Sequence, residues 1–269
     1  EASPTLDGAE IDGTRTSAYM RNSGDEVFGT AGYTGIIEKT SSSDQILRVQ
    51  LRRESVNSSA TDILANQTAL SAVALPSSAN YLMLTTSGSS QTLGVSRTPM
   101  NWNEQTELTG SVFSHSTTTN NSRIFIDSTG NYLFFSTAYT SRSSDTDRNV
   151  PRLEWRLDGS TVVPYGGHGS YNRGNESSGG DAYTSGSSGG LILDNLTAGQ
   201  YLELVHSDET GDSPNAVFPA GRVALQGVDL ASLAAVDTQV SYQGVQTDSL
   251  TPSTTAAYLG GAFVVTENT

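Results

Sequence analysis

Apolar and polar residues alternate in short runs along this chain, and the three-to-four-residue spacing of an amphipathic helix is almost absent. From Ile46 to Arg52, Ile46, Arg48 and Gln50 alternate with Leu47, Val49 and Leu51. The later stretch Tyr201 to Leu204 sets Leu202 and Leu204 against Tyr201 and Glu203. A period of two marks a strand with one wet face and one buried face. Further strands are expected near Ala69–Leu75, Tyr81–Leu84, Leu153–Leu157, Leu191–Leu193 and Val223–Val228. The run from Arg123 to Phe135 holds two apolar segments separated by Asp127-Ser128-Thr129-Gly130, which reads as a hairpin. Gly- and Ser-rich segments, Asn22 to Gly35 and Gly166 to Gly190, read as long surface loops. Leu230 to Val236 is long enough for one helical turn.

The pattern occurs twice. Tyr19 matches Tyr171, Gln45 matches Gln200 and Ala69 matches Ala224, at offsets of 152 to 155 residues. Near the start, Pro4-Thr5-Leu6-Asp7-Gly8-Ala9-Glu10-Ile11-Asp12-Gly13 can be laid beside Pro151-Arg152-Leu153-Glu154-Trp155-Arg156-Leu157-Asp158-Gly159, and both read as a short strand ending in an Asp-Gly turn. A repeat of this length favours two domains. We expect an all-β chain of two antiparallel jelly-roll sandwiches. Residues 95–235 form the complete one; residues 1–90, with Ala69–Leu75 and Tyr81–Leu84 as closing strands, form an incomplete one.

The missing strands are expected at the other end, where Tyr258 and Leu259 can be set against Tyr132 and Leu133. Residues 237–269 would then complete the first unit, either within the chain or in a neighbouring one. Tyr258, Leu259, Phe263, Val264, Val265, Leu6 and Ile11 are the candidate assembly residues. An uncovered half sandwich leaves an apolar face and strand edges bare, which favours pairing with another chain.

Two short patterns carry a family resemblance. One is Asp127-Ser128-Thr129-Gly130-Asn131-Tyr132-Leu133-Phe134; the other is Leu196-Thr197-Ala198-Gly199-Gln200-Tyr201-Leu202-Glu203-Leu204. Over Trp102 to Leu230 the chain resembles the C1q and tumour-necrosis-factor-like jelly roll, in these patterns and in strand order. The resemblance implies a sandwich fold and, in the family, trimeric extracellular binding modules. No residue here matches a family ligand site.

Composition narrows the chemistry. There is no cysteine, which removes disulfides, thiolate metal sites and cysteine nucleophiles. The net charge is -14 and Lys39 is the single lysine, so nucleic acid would be repelled. No apolar run reaches the eighteen or so residues a membrane helix needs, and no basic-then-apolar leader precedes the start, so the chain reads as soluble and, if secreted, processed. An acidic, Lys-poor, cysteine-free, Thr/Ser-rich surface suits an extracellular or saline setting, and the expected location is extracellular or on the surface of a cell or virion.

His115, His168 and His206 lie far apart in sequence. Asp208, Glu209 and Asp212, beside His206, could converge on a cation such as Ca2+, although a solvated acidic turn explains them more simply. Asp145 with Asp147 and Asp25 with Glu26 are acidic loop pairs; a glycosidase needs paired carboxylates separated across a pocket, which spacing in a loop does not show, and solvated loops explain them more simply. Tyr165, Tyr171 and Tyr183 are candidate glycan-facing residues, whereas Trp102 and Trp155 read as core. No nucleophile elbow or phosphate-binding glycine loop is present, so catalysis is not expected and no cofactor is assigned. Five Asn-x-Ser/Thr triplets, beginning at Asn57, Asn66, Asn120, Asn175 and Asn195, are the number chance supplies in this composition. The expected function is that of a structural subunit that self-associates into a filament, matrix or shell. Rival readings are a carbohydrate-binding or adhesive module and a virion capsid or surface protein.

Overall fold

A computed structural model describes residues 2–17, 32–37, 45–51, 69–73, 75–87, 89–142, 148–164, 166–173, 183–210, 216–233, 241–245, 257–258 and 263–265. Strand makes up 55% and helix 2%, as a chain of short alternating runs should give. The N-terminal part supplies β1 (Ala2–Leu6), β2 (Ala9–Glu10), β3 (Gln45–Leu51) and β4 (Ala69–Val73). Then come β5 (Tyr81–Thr85), β6 (Gln91–Thr92), β7 (Thr98–Pro99), β8 (Glu104–Leu108), β9 (Phe113–Ser114) and β10 (Ile124–Ile126). They are followed by β11 (Gly130–Arg142), β12 (Arg148–Asn149), β13 (Pro151–Leu157), β14 (Thr161–Val162), β15 (His168–Gly169) and β16 (Asn172–Arg173). Next are β17 (Tyr183–Leu196), β18 (Tyr201–Asp208), β19 (Ala216–Phe218), β20 (Val223–Asp229) and the single turn α1 (Leu230–Leu233). The C-terminal part gives β21 (Ser241–Val245), β22 (Ala257–Tyr258) and β23 (Phe263–Val265).

The second unit is a two-layer antiparallel sandwich. One layer runs β17-β11-β20-β5-β8, and the other β14-β13-β18-β10-β9. Numbering its eight principal strands along the chain as β5, β10, β11, β13, β14, β17, β18 and β20 gives the orders first-eighth-third-sixth and second-seventh-fourth-fifth. These orders are compatible with a jelly roll. The core between the layers contains Trp102, Phe113, Ile124, Ile126, Tyr132, Phe134, Trp155, Leu202, Leu204 and Leu225, and every member of the cluster lies between Leu82 and Leu225. Period two delivers them: Tyr132, Phe134, Ser136 and Ala138 of β11 point inward, while Leu133 and Phe135 lie on the other face.

Two sequence expectations are corrected. β10 and β11 do not form a hairpin; β10 pairs with β18 and β9, while β11 pairs with β17 and β20 in the opposite layer. Asp127–Thr129 is therefore a corner between layers. It is held to the turn before β18 by Gly199 N–H donating to the Ile126 carbonyl (2.8 Å) and Ala198 N–H donating to Thr129 Oγ1 (3.1 Å). Tyr81–Leu84 does not close the first unit: β5 pairs with β20 and β8. Both corrections have one cause, since alternation fixes which face of a strand is buried and not which strand lies beside it.

The N-terminal segment covers the outer face of the β17-β11-β20 layer. A Cβ on Gly13 would lie 2.5 Å from Ala224 Cβ, and Gly13 N–H donates to the Gly221 carbonyl at 2.9 Å. The Gln226 side chain accepts from Ile36 N–H and donates to the Ile36 carbonyl (2.8 Å), as a neighbouring strand would. Glu10 joins Arg15 to Arg222, the latter at 2.7 Å.

Candidate assembly site

The repeat is equivalent at the level of single hydrogen bonds. Asp7 and Gly8 have φ of 50° and 87°, and Asp158 and Gly159 have 51° and 77°. Two successive positive φ values make the mirror-image hairpin turn, for which Asp-Gly is well suited. Asp7 accepts from Ile46 N–H (2.8 Å) and Gln45 Nε2 (3.1 Å); Asp158 accepts from Tyr201 N–H (3.0 Å) and Gln200 Nε2 (3.1 Å). The backbone N–H groups of Asp7 and Asp158 donate to the carbonyls of Ile46 and Tyr201, both at 2.9 Å. These bonds, the Ile46 amide first and then Gln45, hold the Asp7 carboxyl below the usual range.

Pairing then fixes each equivalence. β1 on β3 sets Leu6 opposite Leu47, as β13 on β18 sets Leu157 opposite Leu202. On the other side of β3, β23 sets Phe263 opposite Leu47 and Val264 opposite Ile46. Their counterparts are Ile124 opposite Leu202 and Phe125 opposite Tyr201, so β23 stands where β10 does. β22 sets Ala257 opposite Leu51 and Tyr258 opposite Gln50, as β7 sets Thr98 opposite His206 and Pro99 opposite Val205. β21 pairs with β4 from Val245 opposite Ala69 to Ser241 opposite Val73, which is the register of Thr85 opposite Ala224 through Tyr81 opposite Val228.

The alignment of Tyr258 with Tyr132 is thereby corrected. Tyr258 occupies the position of Pro99, and the C-terminal strands are counterparts of β5, β7 and β10. Among the described residues no strand is the counterpart of β11. Of the other candidate assembly residues, Leu6 is half-buried on β1. Ile11 follows β2, its N–H donating to the Pro4 carbonyl (3.3 Å) and its carbonyl accepting from Thr14 Oγ1 (2.5 Å). Leu259 lies outside the described residues.

The acidic and aromatic candidates are placed as follows. Asp208 is 4% exposed and accepts from Asn149 Nδ2, Val150 N–H (3.0 Å), Thr210 N–H (3.1 Å) and Thr210 Oγ1 (2.9 Å). Burial pushes its pKa up, but these hydrogen bonds outweigh it and leave the group below the usual range. Its oxygens are thus committed to holding β18 to β12. Glu209 is exposed and lies 3.5 Å from Arg152; Asp212 is outside the described residues. Among the described residues no three His, Asp or Glu side chains converge on a cation position. Tyr165 and the acidic pairs at Asp25 and Asp145 are also outside them. Tyr171 is half-buried, Tyr183 opens β17, and Trp102 and Trp155 are fully buried core residues.

The histidines stay apart. His168 joins Ser136 Oγ (2.7 Å) to Ser187 Oγ (2.8 Å), while Ser185 joins Ser170 to Thr140, each at 2.9 Å. Ser136 is 1% exposed. His206 packs its ring on Phe218, with centroids 4.9 Å apart. Burial lowers the pKa of His168 and of His206 to about 4.

A neutral form favoured by the fold has a definite pH signature. The unfolded chain binds more protons than the folded one between about pH 4 and 6.5, so the stabilisation is complete above that interval and is lost as pH falls through it. Each histidine adds a slope of about 1.4 kcal/mol per pH unit there. Urea midpoints measured from pH 7 to pH 4 are expected to fall, and His168→Gln combined with His206→Phe should flatten the curve. An unchanged slope in the double variant would contradict this.

Sequence reading did not single out a charged lattice on the outer face of the second layer. Glu154, 4% exposed, faces Arg156 (2.7 Å), Arg97 (3.7 Å) and Arg152 (3.8 Å), and Glu203 accepts from Ser122 (2.9 Å) and faces Arg123 (3.4 Å). The alternation Arg152-Leu153-Glu154-Trp155-Arg156 carried that signal. The arginine stems cover the sheet and their heads neutralise one another's carboxylates. A shallow open groove beside it is lined by Val150, Pro151, Arg152, His168, Ser170 and Glu209.

No helix among the described residues is long and apolar enough to cross a membrane. No protein-family model matches the chain, and no curated protein shows significant similarity to it.

Proposed function

We propose that this protein is a non-enzymatic structural subunit of an extracellular, cell-surface or virion-surface assembly, growing by strand addition at its split unit. The observation that carries the proposal is that one sheet is built from both ends of the chain, with β22 and β23 pairing with β3 and β21 pairing with β4. Strands that complete a sheet from a distant part of the chain are the kind that neighbouring chains exchange, with main-chain bonds at a sheet edge supplying the affinity. The strand order of the second unit, with Gly130-Asn131-Tyr132 opening β11 and Leu196–Gln200 turning into β18, supports the C1q and tumour-necrosis-factor-like resemblance. It gives no ligand site.

The test is the mass of the chain by light scattering from micromolar to millimolar concentration. Species that grow with concentration are expected. A strict monomer throughout, combined with glycan binding on an array, would replace this reading with that of an adhesive module.

A further inference from the structure

We propose that the arginine-bearing outer face of the second layer docks on the acidic edge of the first layer in a second copy of this chain. The proposal rests on the assembly reading and adds to it a lateral contact between sandwiches. On β13 the period of two turns Arg152, Glu154 and Arg156 outward, and β18 sets Glu203 opposite Arg156. Arg97, just ahead of β7, and Arg123, just ahead of β10, close round the same two carboxylates. The side chains of Glu154 and Glu203 are 6% and 7% exposed, whereas those of Arg97 and Arg152 are 48% and 47% exposed. The anions therefore lie beneath and the cations reach solvent. Among the described residues the one other acid in ion-pair contact with these arginines is Glu209, beside Arg152. Four cations against three anions leave the face one charge positive, on a chain whose net charge is -14.

The complement stands on the opposite side of the same sandwich. Leu82 and Leu84 of β5 point into the core, so Met83 and Thr85 turn outward. β8 sets Glu107 opposite Met83 and Glu104 opposite Thr85, with a shift of register between them. That bulge brings both glutamates onto the outer face, since residues three apart on an even strand point to opposite sides. Thr85 Oγ1 donates to Glu104 at 2.9 Å, and Glu104 is exposed. Among the described residues no cation pairs with either glutamate, and β8 ends its layer. The sandwich thus has two unlike outer faces, one with half-exposed arginines and one with glutamates that no arginine answers. Contact between unlike faces is heterologous and repeats from copy to copy, so it extends an assembly instead of stopping at a dimer. Each exposed ion pair is weak. The contact aligns copies and selects their orientation, while the strands supply the strength.

The test is sedimentation velocity of the full chain at millimolar concentration in about 0.1 M and about 1 M sodium chloride. At the lower salt the screening length is about 10 Å, which damps repulsion between two acidic chains and leaves ion pairs in contact; at the higher it is about 3 Å, which damps the pairs as well. The association constant should fall roughly tenfold between the two. Arg97→Glu with Arg152→Glu, and separately Glu104→Arg with Glu107→Arg, should each abolish the salt-sensitive association and keep the wild-type circular dichroism. Glu154 retains Arg156 at 2.7 Å in the first of these. The second lessens the net negative charge, so weaker association there is not a product of overall repulsion. An equal mixture of the two variants should regain association, because each then meets the sign it lacks. If the arginine variant unfolds, the glutamate variant, altered at an exposed edge, decides the question by itself. Association equal at the two salt concentrations, a glutamate variant that associates like the unaltered chain, or two folded variants that fail to associate on mixing overturns the contact. The two readings fail separately. Association that survives high salt and ignores the substitutions keeps strand addition and sinks this contact, and association that high salt abolishes keeps the contact and sinks strand addition. A monomer in both salts overturns both.

Discussion

A chain ending at Leu233 is expected to lose the sheet of the first unit and keep the second sandwich intact. Without β21–β23, β4 has no described neighbour and β3 retains only β1, itself paired with the two-residue β2. So small a sheet is marginal in water unless something packs on it. The second unit, in contrast, draws its whole hydrophobic cluster from between Leu82 and Leu225. In differential scanning calorimetry the full chain should show two transitions, one for each unit, and the shortened chain only the one belonging to the sandwich. Loss of both transitions would mean that the two units share one core, against the packing described above.

Trp155→Ala should have the largest effect of any single substitution in the second unit. Trp155 is 0% exposed and packs on Phe134 with centroids 5.5 Å apart, and a Cβ on Gly166 would meet its ring at 2.9 Å. Emptying so closely surrounded a site costs about 3–5 kcal/mol. In a unit of this size that corresponds to a fall of roughly 6–20 °C in its transition. The first unit's transition should stay in place. Trp155→Phe should cost far less than the volume change alone suggests. The indole Nε1 has no hydrogen-bond partner among the described residues, and removing it relieves an unmet donor. A loss in Trp155→Phe as large as in Trp155→Ala would contradict that account.

Much of this architecture was legible in the residues, for physical reasons. An Asp-Gly turn was legible at Asp158, because few residues accept two positive φ values in succession, but in the first copy the strand was expected to run on to Asp12-Gly13 and the equivalent turn is at Asp7-Gly8. Gln45 and Gln200 recur because each donates to the aspartate of its own turn. The repeat offsets pointed to the C-terminal segment as a source of strands for the N-terminal one, and β22 and β23 do pair with β3.

What could not be read was partnership. β10 is three residues of Ile124-Phe125-Ile126 beside a turn-forming corner, and its pattern is the same whether it folds back on β11 or crosses to β18. Tyr258 resembles Tyr132 as a side chain, yet its backbone register places it where Pro99 stands, and nothing in the two residue types links a tyrosine to a proline. The cover of the β17-β11-β20 layer rests on Gly13 fitting against Ala224 and on Gln226 bonding Ile36. Both are contacts between residues nearly two hundred positions or more apart.

The central claim is that one unit is built from both ends of the same chain, and a cysteine pair tests it. Ile46 faces Val264 at the position equivalent to Tyr201 and Phe125. Because Ile126 N–H bonds the Gln200 carbonyl, Tyr201 and Phe125 form a pair without hydrogen bonds between them, whose Cα atoms lie about 4.5 Å apart, within disulfide reach. With no cysteine elsewhere, the Ile46→Cys, Val264→Cys chain should oxidise at low concentration to a disulfide-linked monomer on a non-reducing gel. Intermolecular ladders, or two thiols that stay free, would show that the C-terminal strands do not close the unit of their own chain.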